Sequence, residues 1–151
     1  MLRDDLQELF EKLILLLRKK LSLANSFIHN ETEKIFCLKS NNLEQVIIIL
    51  ERDDELIQKI NLADYEISEL NREICKIIGI KTNELETFLK SANNEKAGEI
   101  SGLNDQISST FQILDQERER FIIEMEKSKN TLSRDMDNLR RIRKLNFEKE
   151  K

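Results

Sequence analysis

The chain has 151 residues, no proline, only three glycines (Gly79, Gly98 and Gly102), 36% charged residues and a net charge of −4. An ordinary chain of this length carries roughly seven prolines, and proline breaks helices by removing a donor and clashing with the preceding turn. The composition therefore points to a few long helices. The acidic balance argues against nucleic-acid binding, which needs a basic footprint.

The first predicted element is a helix over 4–38. Asp4 and Asp5 fall in its first turn, where negative charge suits the helix dipole. Steps of three and four give Leu6, Phe10, Leu13, Leu17, Leu21, Ala24, Ile28, Glu31, Ile35 and Leu38, one face that is apolar except at Glu31. Leu13 to Leu17 is a continuous apolar run of five. That is far below the ~20 residues of a membrane span, and it reads better as burial on several sides of a bundle than as a membrane-surface patch.

A polar break at Lys39-Ser40-Asn41-Asn42 follows, with Asn41 and Glu44 spaced as a capping box. A second helix is expected over 43–78. Three columns repeat along it every seven residues: Ile49, Leu56, Ala63, Leu70 and Ile77; Val46, Asp53, Ile60, Ile67 and Ile74; Leu50, Ile57, Asp64, Asn71 and Ile78. A stripe three columns wide calls for two neighbouring helices. Asp53 and Asp64 occupy seam positions and suit a lysine or arginine from a neighbouring helix. Gly79 stands at the C-cap.

Residues 79–98 read as a connector, with a short helix over 83–90 capped by Asn83 and ended by Asn93-Asn94. Gly98 and Gly102 spell GxxxG, which in so polar a stretch reads as weak helix and not as a packing motif. The last helix is expected over 99–147, with the stripe Ile100, Leu103, Ile107, Phe111, Leu114, Phe121, Met125, Leu132, Met136, Leu139 and Ile142.

Motifs for chemistry are absent from the sequence: no phosphate-binding glycine loop, no HExxH, no GxSxG and no EF-hand loop. His29 is the single histidine and reads as a solvated surface residue. Asp53-Asp54-Glu55 fan out by ~100° per residue on a helix and so do not converge on a metal. Cys37 and Cys75 should lie ~45 Å apart, from ~30 residues at 1.5 Å each, far beyond the reach of a disulfide. The expectation is a protein with no catalytic residues, no metal and no cofactor. The basic clusters Arg18-Lys19-Lys20 and Arg140-Arg141-Ile142-Arg143-Lys144 read as a solvated face or as a rim for an acidic partner. With no evident secretion signal or span, the expected location is the cytoplasm, without membrane insertion.

Helix lengths suggest where function lies. Helices one and two each span ~50–55 Å and the last one ~67–80 Å. A short turn makes the first two antiparallel, so the end of the third outreaches them. That end stays amphipathic through Leu132, Met136, Leu139, Ile142, Leu145 and Phe147, a stripe with no partner in its own chain. Arg140, Arg141, Arg143 and Lys144 would form a charged rim. The competing reading is a charged tail whose cations favour the helix dipole.

Ser40-Asn41-Asn42-Leu43-Glu44 followed by Leu50-Glu51-Arg52 resembles the polar turn and second-helix opening of the FlgN-type flagellar export chaperones. The order of elements and the length are similar too. The resemblance implies a cytoplasmic, non-enzymatic chaperone of a type III secretion pathway. It would bind the terminal helices of the hook-filament junction proteins FlgK and FlgL by helix-to-helix packing, and would also contact the export gate FlhA. Some members make the gate contact with a C-terminal tyrosine. Here the one tyrosine is Tyr65, and Phe121 and Phe147 are the aromatic candidates for that place. The fold expected is an elongated all-α antiparallel bundle or coiled coil of three long helices with a short connector, in one domain and as a monomer or weak homodimer. The alternatives are a structural coiled-coil or adaptor protein that self-associates, and a helical regulator of membrane or nucleic acid.

Overall fold

A computed structural model describes residues 4–150, with the side chains of Arg143 and of residues 145–150 outside the described set. The chain is all-α, and no strand occurs among the described residues. There are four α-helices: α1 (Asp4–Lys39), α2 (Leu43–Ile78), α3 (Leu85–Ser91) and α4 (Glu95–Glu150), with a 3-10 turn at Thr82–Glu84 before α3. Three are long and one is short. The last long helix begins at Glu95, four residues ahead of the expected 99. The connector is correspondingly shorter, and its helix runs 85–91 instead of 83–90.

The breaks show why the helices stop where they do. α1 ends in a Schellman arrangement: Asn42 N donates to Cys37 O (2.8 Å) and Asn41 N to Leu38 O (3.1 Å). This needs a left-handed residue, and Asn41 supplies it with φ 57°, a region asparagine tolerates better than most residues. Asn41 therefore closes α1 and does not open α2. The cap of α2 is Asn42, whose side chain accepts from Gln45 N at 3.3 Å. At the other end Gly79, φ 83°, ends α2, and its N–H donates to Cys75 O at 2.8 Å. Asn94 opens α4 by accepting from Ala97 N at 3.1 Å; it starts the last helix as well as ending the connector.

α1 is the central rod. It packs along both α2 and α4, while the backbones of α2 and α4 stay apart. Of its apolar face all but Leu21 and Ile28 are buried, Glu31 included. Sandwiching between two helices also explains Leu13, Ile14 and Leu17, which are buried on different sides of one rod, while Leu15 is exposed. The wide stripe of α2 predicted two neighbours for that helix, and the structure gives the two close neighbours to α1 instead. In the upper half of α2 the third column is left uncovered: Leu50 and Ile57 are exposed.

The largest apolar cluster lies at the end holding the start of α1, where Leu6, Phe10 and Leu13 pack with Ile74 of α2, Leu85 and Leu89 of α3, and Ala97, Ile100 and Leu103 of α4. Phe27, Ile60 and Leu114 join the three rods at mid-length. At the far end Cys37, Leu38, Val46 and Ile49 pack with Phe121. Gly98 and Gly102 face open space, so GxxxG brings no backbone close.

Candidate helix-binding surface

α4 runs alongside α1 from Lys96, which pairs with Glu11, to Phe121, which packs at the α1–α2 turn. The remainder of α4, on the order of 40 Å of helix, extends past the turn, and no other helix among the described residues lies beside it. Burial along its stripe falls accordingly. Ile100, Leu103, Ile107 and Leu114 are buried, Phe111 and Phe121 are half-buried, and Met125 is exposed. Beyond these, Leu132 is 60%, Met136 47%, Leu139 62% and Ile142 53% exposed. These four share one face of the helix by their three- and four-residue spacing. The rim residues Arg140, Arg141 and Lys144 are exposed, and Arg140 lies 3.9 Å from Asp137. Leu145, Phe147 and Arg143 lie outside the described side chains. The uncovered apolar row continues toward the turn at Met125, and Leu43 and Ile47 at the start of α2 are exposed at the same end of the molecule.

A second feature lies between the rods. Lys34 of α1 is 3% exposed; its ammonium donates to Glu31 Oε1 at 2.6 Å and to Asp53 Oδ2 of α2 at 2.5 Å. The Phe121 ring of α4 lies 4.5 Å from the same nitrogen. Asn30 Nδ2 donates to the other Asp53 oxygen at 3.1 Å. One lysine thus ties all three long helices together by an ion pair on one side and a cation–π contact on the other. The arrangement repeats two heptads earlier. Lys20 of α1 pairs with Asp64 of α2 at 2.5 Å and sits 5.2 Å from the Phe111 ring of α4. Both α2 aspartates at seam positions therefore meet α1 lysines. The Arg18-Lys19-Lys20 cluster is largely spent on inter-helix pairs, since Arg18 bonds Glu99 of α4.

The Lys34 cluster is electrically unbalanced. Two buried carboxylates, Glu31 and Asp53, face one buried ammonium. Glu31 Oε2 is buried and meets no hydrogen-bond donor among the described residues. A buried acceptor left unmatched costs ~1–3 kcal/mol, and a charged one more. The cluster forms part of an open trough of about 450 Å³, floored by Phe27, Glu31 and Lys34 of α1 and walled by Leu50, Asp53, Asp54 and Ile57 of α2 and Arg118, Phe121 and Ile122 of α4. Arg118 lies over the Phe27 ring at 5.8 Å.

The sequence placed Glu31 and Asp53 on buried stripes but did not find Lys34 or the trough. Two acidic intruders on two apolar faces were the available signal for a cation between them.

The other titratable groups do not assemble. His29 is 80% exposed beside Glu33. Among the described residues no three His, Cys, Asp or Glu side chains group as metal ligands, and no described helix is long and apolar enough to cross a membrane. Cys37 and Cys75 are both buried free thiols, in clusters at opposite ends of the bundle. Burial raises the Cys75 thiol above its ordinary value, and the nearby Glu84 charge adds to this. Comparison with protein-family models, with curated proteins and with solved structures finds no match to this chain.

Proposed function

We propose that this chain is a helix-binding chaperone of flagellar export. In this reading an elongated bundle of three long helices presents the projecting end of α4 to the terminal helix of a hook-filament junction protein of the FlgK or FlgL type. The observation that carries the reading is the exposed row Leu132, Met136, Leu139 and Ile142 on a helix segment that has no neighbouring helix among the described residues. Exposed apolar residues repeated at helical spacing suit a helix laid alongside them. Leu145 and Phe147 would extend the row, and Arg140, Arg141, Arg143 and Lys144 would set on-rate and selectivity at its edge. The resemblance at Ser40–Glu44 and Leu50–Arg52 supplies the flagellar part of the reading, with a cytoplasmic site of action and the export gate as a second contact.

The test is truncation after Asn130. The shortened protein keeps its α1–α2 hairpin helical by circular dichroism and loses capture of the junction-protein terminal helix in a titration. Capture equal to that of the full chain overturns the assignment. The same exposed row also suits self-association, the adaptor reading. Dilution separates the two: a chaperone is a monomer or weak dimer that forms a 1:1 complex, and an adaptor stays oligomeric in sedimentation at low concentration.

A further inference from the structure

We infer that the trough between α2 and α4 is a second docking site, separate from the projecting stripe, for a partner helix that carries one lysine or arginine on its apolar face. The apolar part of the argument starts from α2. Its three-column stripe is wide enough for two neighbours, yet along the upper half of α2 the column holding Leu50 and Ile57 stays exposed. Ile122 of α4, also exposed, lines the trough with them. The backbones of α2 and α4 do not come together, so the two rods form walls and α1 the floor. A helix laid there would bury all three apolar side chains and give α2 its missing neighbour.

Charge decides what kind of helix. Asp54 and Arg118 on the walls offset one another, while the buried carboxylates of Glu31 on the floor and Asp53 on the α2 wall face the single Lys34 ammonium. Glu31 Oε2 adds a buried oxygen without a donor. An acidic partner would raise the negative charge. A wholly apolar partner would exclude the screening solvent above the buried excess charge and return nothing to it. A basic side chain held at the mouth of the trough offsets the excess through the poorly screened space between them, without touching the closed-off Glu31 oxygen. The apolar walls then seal the pair from water. The trough lies entirely before residue 123, so the inference stands whether or not the projecting stripe holds a client.

The experiment is selection from a displayed library of amphipathic 18-residue helices, with apolar-face positions free to be apolar, acidic or basic, against the full chain. Binders that occupy the trough are those whose affinity falls at least tenfold against Ile57→Asp, a substitution at an exposed position whose fold is checked by circular dichroism. These binders are expected to share one Lys or Arg on the apolar face. They should weaken about tenfold when that residue becomes leucine, and about tenfold against Glu31→Gln, while Leu139→Asp on the projecting stripe leaves them within twofold. The inference is overturned if no selected helix responds to Ile57→Asp, if the responders carry no shared basic residue, or if crosslinking finds a second copy of the chain seated in the trough. Loss of client capture on Leu139→Asp tests the projecting stripe alone, so the two proposals fail separately.

Discussion

Replacing Lys34 by methionine removes the one cation between Glu31 and Asp53, both at most 4% exposed. Methionine is close to lysine in length and leaves little void, so the effect is mainly electrostatic. Two carboxylates on neighbouring helices are then buried without their counter-charge, and the Phe121 ring loses its cation. Breaking a buried pair by deleting one partner costs about 3–5 kcal/mol. At roughly 2–4 °C per kcal/mol for a chain of about this size, the melting temperature should drop by about 6–20 °C. The control is the triple change Glu31→Leu, Lys34→Met, Asp53→Leu, which removes every buried charge at once. Exchanging a whole buried ionic cluster for apolar residues is often neutral or stabilising by ~1–4 kcal/mol. Half-exposed Asn30, deprived of its acceptor, can turn to water. Urea unfolding of the wild type, the single variant and the triple variant measures both quantities. A single variant within ~1 kcal/mol of wild type, or a triple variant as unstable as the single one, would refute the claim that Lys34 holds an otherwise uncompensated pair of buried charges.

The glycines should respond with opposite signs. Gly79→Ala forces a Cβ into a left-handed conformation at φ 83° and should lose about 1–2 kcal/mol, whereas Gly98→Ala, inside α4 with open space around it, should gain about 0.5–1 kcal/mol; thermal melts of the two variants decide. For Cys75 the folded thiol titrates above its unfolded value, so its contribution to stability is complete below the unfolded pKa and is lost as pH rises through the folded one. Unfolding followed from neutral into alkaline pH should show that decline, and Cys75→Ala should flatten it. Alkylation of Cys75 should also be slow in the native protein and fast in urea, because the thiolate is the reactive form.

Much of the architecture can be read along the chain. A helix declares itself through local spacing, and proline or glycine would have interrupted it, so α1 and α2 fall within a residue of their expected limits. The start of α4 was harder to place. Gly98 and Gly102 lower helix propensity there by about 1 kcal/mol each relative to alanine. The packing of Ala97, Ile100 and Leu103 against α1, α2 and α3 overrides that preference. The turn differs from expectation for a related reason. Asn41 and Asn42 both suit a cap, and the need of α1 for a left-handed residue at its own end decides which one serves α2.

The candidate surfaces divide in the same way. The spare stripe from Leu132 to Ile142 follows from counting residues, because a longer rod must extend beyond shorter ones whatever their arrangement. The Lys34 cluster and the trough do not follow from counting. They depend on α1 lying in the centre and on the rotation of each rod about its axis, which bring Lys34 between Asp53 and Phe121 and turn Leu50 and Ile57 outward. Periodicity is a property of one helix and fixes which residues share a face. Which faces meet is settled among all the helices at once, by packing and by the demand that buried charges find partners.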